Sequence, residues 1–228
     1  MKAARIAKVF DWDNTLMPLF PGGKTTLEKL LTDYAHEKSG FEFLGLAMRA
    51  LLIKVYRKAA RGFTSIFNDP TWTGESSTLK VCDRAYIKPA KIPAEFMYKK
   101  AEEYAFHWGS NVKFAIKNCK EDIYIVTAEP VQLIEKILEY AGLSAHVKKV
   151  YGTEFKIENG VIIGFDALKM RAGISGKYAG ICEIEKLGYD KIYAMGDSAA
   201  DVGLIGSKVI PCNFYKTTRA NPEDLLKL

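Results

Sequence analysis

The sequence has 228 residues, enough for one large domain or for a core domain that carries a smaller inserted one. Hydrophobic residues make up 48% of the chain and charged residues 26%, which excludes an intrinsically disordered protein. The net charge of +6 favours anionic partners, among them phosphate esters, nucleic acids and anionic membrane surfaces.

The sequence contains no apolar run near the ~18 residues that a transmembrane helix needs. Its first residues also lack the apolar core of a signal peptide, so we expect a cytoplasmic protein. The four cysteines lie far apart and the three histidines occur singly, a pattern that argues against a zinc site.

Strand-like and helix-like segments alternate along most of the chain. Four apolar segments have the length of strands, residues 4–10, 123–128, 191–196 and 208–214. Two segments show helical spacing of apolar residues, residues 129–142 and 178–188. This alternation predicts an α/β fold with a parallel sheet. Within residues 155–164, Asn159 and Gly160 separate two apolar runs and predict a β-hairpin.

Residues 17–92 differ from the rest, because they show helical patterns and no convincing buried strand. We expect them to form a helical cap inserted into a core of residues 1–16 and 93–228. Residues 43–68 contain no acidic residue but five basic ones, Arg49, Lys54, Arg57, Lys58 and Arg61. An apolar stripe also runs through this stretch at helical spacing, Leu44, Met48, Leu51, Leu52, Val55 and Ala59. The basic side suits a solvated surface, a lid over an anionic substrate, or binding to lipid or nucleic acid.

Acidic and hydroxyl side chains mark the ends of three predicted strands, and a lysine precedes the last strand. In chain order these residues are Asp11, Asp13, Thr127, Lys177, Asp197 and Asp201. Ligands of open α/β sheets bind at the carboxyl ends of the strands, where distant segments converge. We therefore expect these side chains to form one site.

The residue types match the requirements of phosphoryl transfer. Asp11 and Asp197 offer two carboxylates for Mg²⁺, which prefers hard oxygen ligands. An aspartate such as Asp11 can attack phosphorus and form an aspartyl phosphate. A second carboxyl two residues on, Asp13, can donate the proton to the leaving oxygen. The Thr127 hydroxyl and the Lys177 ammonium can hold the transferring group.

In this order, the motifs resemble those of the haloacid dehalogenase superfamily. They are FDWDNTL (10–16), Thr127, Lys177 and GDSAAD (196–201). The chain is most similar to the phosphoserine-phosphatase-like branch, because its large insertion lies between the first and second motifs. The resemblance implies a Rossmann-like parallel-sheet core with a mobile, inserted α-helical cap.

The resemblance also implies a role for each motif residue. Asp11 would be the nucleophile and Asp13 the general acid and base. Mg²⁺ would be held by Asp11, by the backbone carbonyl of Asp13 and by Asp197, and Thr127 and Lys177 would bind the phosphoryl group. Members that act as dehalogenases lack an acid at the position of Asp13, since a halide leaving group needs no proton. Asp13 therefore favours phosphate esters.

Some positions depart from the family pattern or leave an alternative. Asn14 occupies a position where many members have glycine. Ala128 and Glu129 follow Thr127 where small, glycine-rich residues are usual, which argues against phosphoserine itself as the substrate. Lys169 is an alternative to Lys177, which we prefer because Gly176 precedes it and it opens the next predicted helix. Asp201 either orients a metal-bound water or supports the metal ligands from behind, and the sequence favours neither role.

The sequence as a whole predicts a Mg²⁺-dependent phosphatase that hydrolyses a small phosphomonoester through an aspartyl-phosphate intermediate on Asp11. One alternative is a phosphomutase that uses the same residues. The other is a non-catalytic module that binds anionic lipid or nucleic acid through the basic part of the cap. The sequence contains no recognised nucleic-acid-binding module, which argues against nucleic acid as a partner.

Overall fold

The structure is a computed structural model, and it describes residues 4–49, 51, 55, 75–166, 169 and 173–212. The strands are β1 (Ile6–Phe10), β2 (Ile92–Pro93), β3 (Asp122–Pro130), β4 (Val147–Thr153), β5 (Phe155–Glu158), β6 (Val161–Phe165), β7 (Lys191–Met195) and β8 (Val209–Cys212). The α-helices are α1 (Thr26–His36), α2 (40–49), α3 (Glu75–Cys82), α4 (Lys88–Ala90), α5 (Ala94–His107), α6 (Ser110–Asn118), α7 (Val131–Tyr140) and α8 (Gly173–Glu185). A π-helical turn, Asp83–Ile87, joins α3 to α4, and short 3₁₀ helices cover Ser144–His146 and Ala199–Leu204.

A five-stranded parallel sheet in the order β4-β3-β1-β7-β8 forms the centre of the fold. β1 is the middle strand and pairs with β3 on one side and with β7 on the other. Phe10, its last residue, lies opposite Ile125 of β3 and Met195 of β7. The residues that follow β1 and β7 therefore emerge side by side at the carboxyl edge of the sheet.

Both faces of this sheet are buried, as expected for a parallel sheet with helices on its two sides. Along β1, Val9 belongs to one hydrophobic cluster and Phe10 to the other, because successive side chains point to opposite faces. Helix α8 packs against the face of Val9 through Ile181 and Ile184. Helices α1, α5 and α7 cover the other face. The architecture confirms the predicted Rossmann-like α/β class.

A smaller sheet has the strand order β2-β6-β5. Its strand β2 precedes β3 in the chain, and β5 and β6 come between β4 and β7. β5 and β6 are antiparallel and are joined by Asn159 and Gly160, which have φ values of 49° and 75°. Both residue types tolerate this left-handed conformation, which a tight two-residue hairpin turn requires. The predicted hairpin is therefore confirmed.

Two helix-and-strand details differ from the sequence-based expectations. Helix α8 begins at Gly173 and not near residue 178, so Lys177 lies within the helix and does not open it. The edge strand β4 was not predicted, because its pattern places two exposed lysines, Lys148 and Lys149, inside a short apolar segment. Edge strands carry such charges because one of their sides has no neighbouring strand.

The described part of the expected cap, residues 17–92, is largely helical. The stripe residues Leu44, Met48, Leu51 and Val55 are more than half exposed, whereas Leu46 of α2 is buried. Leu52, Ala59 and four of the five basic residues, Lys54, Arg57, Lys58 and Arg61, lie outside the described residues. The division into a core and a cap stays a prediction. None of the described helices combines the length and the apolar character needed to cross a membrane.

Candidate active site

The predicted site residues meet at the carboxyl edge of the main sheet. Asp11 directly follows β1, Thr127 lies near the end of β3, and Asp197 follows β7 after Gly196. The pairing of β1 with β7 continues past the strand end, since the Asp11 N–H donates to the Met195 carbonyl over 2.9 Å. The sheet thus holds Asp11 in a fixed position between its two neighbours.

Lys177 reaches this edge from helix α8. Its Nζ lies 2.9 Å from Oδ1 of Asp11 and also donates a hydrogen bond to Oδ1 of Asp201. All three side chains are buried. The alternative lysine, Lys169, has a side chain that is 54% exposed and pairs with Glu154 over 2.9 Å. The structure therefore brings Lys177, and not Lys169, to Asp11.

Asp201 is the most enclosed acid of the group. Its Oδ2 accepts hydrogen bonds from the backbone N–H and the hydroxyl of Ser198, at 2.7 and 2.8 Å, while its Oδ1 faces Lys177. A Cβ atom on Gly196 would lie 2.3 Å from Cγ of Asp201, so this close approach requires glycine. Asp201 is positioned to fix the ammonium of Lys177.

Asp197 is held by Asn14, whose Nδ2 donates to Oδ2 of the carboxylate over 2.5 Å. Asn14 has φ of 57°, in the left-handed region where asparagine is among the few common residues. A tight turn around it closes when its N–H donates to the Met17 carbonyl over 2.7 Å. The turn after β1 thus contacts the end of β7.

Asp13 points towards the N-terminus of helix α1. Its Oδ1 accepts from the backbone N–H of Thr26 at 3.0 Å and from the Thr26 hydroxyl at 2.6 Å. The same hydroxyl accepts a hydrogen bond of 2.9 Å from Nε1 of Trp12. Thr25 caps the helix and forms a capping box with Glu28, which fixes the first turn.

Glu129 is a second buried acid next to Asp13. Its Oε2 accepts the N–H of Leu27 over 2.6 Å, and its carboxyl group is hydrogen-bonded to that of Asp13. Burial and the neighbouring Asp13 raise the pKa of Glu129 well above the usual glutamate value. Burial also raises the pKa of Asp13. Two carboxyl groups can share a hydrogen bond only if one of them carries a proton.

Burial and like charge also act on the acids nearest Lys177. The pKa of Asp11 is raised well above its usual value by burial and then by the charge of Asp201, and Lys177 only partly offsets this effect. Burial likewise raises the pKa of Asp197, against the lowering effect of its hydrogen bond from Asn14. The group holds more negative charge than one lysine can balance.

This charge distribution suits a divalent cation. One oxygen from each of Asp11, Asp197 and Asp201 lies within 4.8 Å of the others. Carboxylate oxygens are the hard ligands that Mg²⁺ prefers. Asp11 and Asp197 are the better placed ligands, because both oxygens of Asp201 are already used by Lys177 and Ser198. The donor set therefore fits Mg²⁺.

Thr127 completes the group from the neighbouring strand. It is buried, and its Oγ1 accepts the N–H of Glu129 over 3.2 Å. Its hydroxyl proton is not used by that hydrogen bond and can be donated to an anionic oxygen. Together, the residues offer a carboxylate nucleophile, a carboxyl acid, a hydroxyl donor and an ammonium, which is the set that phosphoryl transfer uses.

Sequence reasoning placed six residues at this edge, and the structure brings all six to it. The sequence did not reveal the contacts that Asn14, Thr26 and Glu129 make with these residues. The capping box of Thr25 and Glu28 was visible in the sequence and marks the start of α1, but only the fold shows which acids this helix end meets. Glu129 comes directly after the predicted strand of residues 123–128, so the signal that placed Thr127 at the site applied to Glu129 as well.

Comparison with known proteins identifies the family and the fold. The model of the haloacid dehalogenase-like hydrolase family matches residues 9–205. No curated protein matches the sequence significantly. Among solved structures, a substrate-bound phosphoserine phosphatase has a TM-score of 0.61 and 16% identity, with complete coverage of both chains.

Two further structures show the same fold at low identity. A protein of unknown function from Bordetella pertussis Tohama I has a TM-score of 0.62 and 16% identity, with coverage of 92% of this chain and 89% of its own. Cytosolic 5'-nucleotidase IIIB bound to cytidine has a TM-score of 0.58 and 15% identity, with coverage of 98% and 77%. At such identities the likeness concerns the fold.

Proposed function

The chain belongs to the haloacid dehalogenase-like hydrolase family, and we propose that it is a Mg²⁺-dependent phosphatase that hydrolyses a small phosphomonoester. The observation that carries the proposal is the contact between Asp11 and Lys177 at the end of β1, within the cluster that Asp197 and Asp201 complete. A carboxylate nucleophile needs cationic neighbours to approach a phosphate dianion. Lys177 is one such neighbour, and Mg²⁺ held by the acidic cluster would be the other.

In the first half of the reaction, an oxygen of the Asp11 carboxylate attacks phosphorus. The bond between phosphorus and the leaving oxygen breaks, and Asp13 gives its proton to that oxygen, which leaves as an alcohol. The raised pKa of Asp13 favours the protonated form that this step requires.

In the second half, the Asp13 carboxylate takes a proton from water as the water oxygen attacks phosphorus. The bond between phosphorus and Asp11 then breaks, which releases inorganic phosphate and restores the Asp11 carboxylate. Asp13 is protonated again and ready for the next substrate.

Thr127 and Lys177 hold the phosphoryl group during both halves. The Thr127 hydroxyl donates to one phosphoryl oxygen, and the Lys177 ammonium offsets negative charge. Mg²⁺ would be held by Asp11, Asp197 and the backbone carbonyl of Asp13, and when bound it neutralises charge on the phosphate and the carboxylates. Asp201 keeps Lys177 in place through their hydrogen bond.

The substrate would be a small phosphorylated molecule. Phosphoserine phosphatases and a 5'-nucleotidase share the fold, and their names designate small phosphate esters as substrates. Residues 17–92 would form the cap that covers the substrate and excludes water during attack. A cytoplasmic location is part of the proposal.

A phosphate-release screen tests the proposal. The purified protein is incubated with a panel of phosphomonoesters, including phosphoserine and nucleoside monophosphates, with Mg²⁺ or with EDTA. We expect release that requires Mg²⁺ and that is lost in Asp11→Asn. Release without any divalent metal, or full activity of Asp11→Asn, would contradict the mechanism.

The same assay separates the two alternatives. A phosphomutase would move the phosphoryl group within the substrate, depend on a bisphosphate activator and release little phosphate. A non-catalytic binding module would release none from any member of the panel. Release of many phosphate molecules per protein molecule excludes both alternatives.

A further inference from the structure

Glu129 lies at the junction of three parts of the site. It follows Thr127 at the end of β3, and its backbone N–H donates to the Thr127 hydroxyl oxygen over 3.2 Å. Its side chain is buried, accepts the Leu27 N–H at 2.6 Å and is hydrogen-bonded to the carboxyl group of Asp13. A buried acid is costly unless its oxygens are paired, and here they are.

The N-terminus of helix α1 receives two carboxyl groups. The Thr26 N–H donates to Asp13 over 3.0 Å, and the next N–H, of Leu27, donates to Glu129. Both N–H groups belong to the first turn, where no partner within the helix exists and where the helix dipole favours negative charge. One helix end therefore fixes both acids relative to each other.

The contacts of Asp13 show what Glu129 adds. The N–H and the hydroxyl of Thr26 bind the same oxygen, Oδ1. These two hydrogen bonds already restrain rotation of the carboxyl group, but both come from Thr26 and tie it to helix α1 alone. The hydrogen bond to Glu129 supplies a contact from a different element, the end of β3, and fixes the carboxyl group relative to the sheet.

We infer that Glu129 is a positioning residue that orients the Asp13 carboxyl group for proton donation to the leaving oxygen. The inference rests on the proposed function, in which Asp13 is the general acid. Glu129 itself need not touch the substrate. It acts by holding Asp13 and the start of α1 against the end of β3.

The inference predicts an effect that depends on the leaving group. An alkoxide leaves only with a proton, whereas p-nitrophenolate leaves readily without one, so misplacing Asp13 slows the hydrolysis of an alkyl phosphate more than that of p-nitrophenyl phosphate. The parameter kcat/KM reports the steps up to formation of the aspartyl phosphate, where the leaving group departs. The ratio of kcat/KM for the two substrates does not depend on the fraction of protein that is folded.

The test compares this ratio in four variants of the full chain with the wild-type value. Asp13→Asn is the reference for loss of the acid, Glu129→Ala removes the proposed support, and Glu129→Gln keeps an acceptor for Leu27 and a donor for Asp13. Glu135→Ala, in which an exposed acid of α7 outside the site is removed, is the control.

We expect the alkyl-to-aryl ratio to fall by roughly 10-fold or more in Glu129→Ala, given the rate effects of general acids and of small displacements. The ratio should stay near the wild-type value in Glu129→Gln and in Glu135→Ala. If Asp13→Asn lowers the ratio but Glu129→Ala does not, the inference is overturned and the proposed function stands. A Glu129→Gln protein with the full defect of Glu129→Ala would overturn it too, because hydrogen-bond geometry would then not be the cause. If Asp13→Asn leaves the ratio unchanged, the assignment of the general acid and the inference both fail.

Discussion

Asn14 and Asp197 are 183 residues apart in the sequence, and their side chains form a hydrogen bond of 2.5 Å between Nδ2 and Oδ2. The bond connects the turn after β1 with the end of β7, the two segments that carry the acidic motifs. It also fixes one carboxylate oxygen of Asp197, so that the orientation of this proposed metal ligand depends on a residue outside the metal site.

The first prediction concerns this hydrogen bond. Asn14→Gly keeps a residue that tolerates the φ of 57° but removes the amide donor. Loss of such a support to a metal ligand lowers metal affinity by about 10- to 100-fold. We expect the Mg²⁺ concentration for half-maximal phosphate release to rise by that factor, while activity at saturating Mg²⁺ changes much less. An unchanged Mg²⁺ titration would show that the hydrogen bond does not orient the ligand.

The second prediction concerns stability with and without the metal. A ligand that binds only the folded state at 100 times its Kd stabilises it by about 2.7 kcal/mol. For a chain of this size, that corresponds to a rise in Tm of roughly 5–10 °C. We expect Mg²⁺ to raise Tm in thermal unfolding of the wild-type protein and to have little effect on Asp197→Asn.

The metal-free proteins provide the control for this experiment. Asp11 and Asp197 repel each other in the folded state, and both have raised pKa values. We therefore expect Asp197→Asn in EDTA to be as stable as the wild-type protein or more stable. A large loss of stability in EDTA would mean that Asp197 has a structural role and would contradict this account of the cluster.

The third prediction compares two lysines. Lys177 is buried between Asp11 and Asp201, and Lys177→Met would leave both acids without their cation. Removal of one partner from a buried ion pair destabilises by about 3–5 kcal/mol. Lys169 forms an exposed pair with Glu154, and such pairs contribute less than about 1 kcal/mol. Urea unfolding at constant pH measures both variants.

The urea experiment also tests whether the two buried acids, Asp11 and Asp201, depend on Lys177 for the stability of the fold. If Lys177→Met is no less stable than Lys169→Met, then Asp11 and Asp201 tolerate the loss of their cation at little cost. That result would contradict the buried, charged arrangement from which the proposed nucleophile is derived.

The fourth prediction is a pH dependence of the metal-free protein. The pKa values of Asp13 and Glu129 are raised in the folded state, so between their unfolded and folded values the folded protein binds more protons than the unfolded chain. The contribution of these two groups to the free energy of unfolding should therefore increase as the pH falls through their raised folded-state pKa values towards the usual carboxyl pKa values of about 4. Each group contributes a slope of at most about 1.4 kcal/mol per pH unit.

Glu129→Gln is the matched variant for this measurement, because it removes the titrating group and keeps the size and hydrogen bonds of the side chain. Chemical unfolding in EDTA at several pH values should give a smaller slope for Glu129→Gln than for the wild type. An equal slope would show that Glu129 titrates alike in the folded and unfolded states.

Several parts of the fold followed from local patterns. Apolar strand segments, helical spacing and the Asn159-Gly160 pair act over a few residues, so their physical meaning is readable without the fold. Asp11 and Asp197 were placed together by a general rule, that parallel strands end at one edge of a sheet. The start of α8 was misplaced because Gly173 and Gly176 are poor helix formers, and the close packing of α8 on the sheet outweighs their low propensity.

The sequence by itself determined the fold class and which acids, hydroxyl and lysine are proposed as reactive, because strand periodicity and the positions of acids after strands are local properties. Only the tertiary structure decided which of two lysines faces Asp11, that Asn14 supports Asp197, and that Glu129 meets Asp13 at the start of α1. These contacts join residues up to 183 positions apart. No local pattern encodes them, since they arise when helices pack over the sheet and bring their ends to its edge.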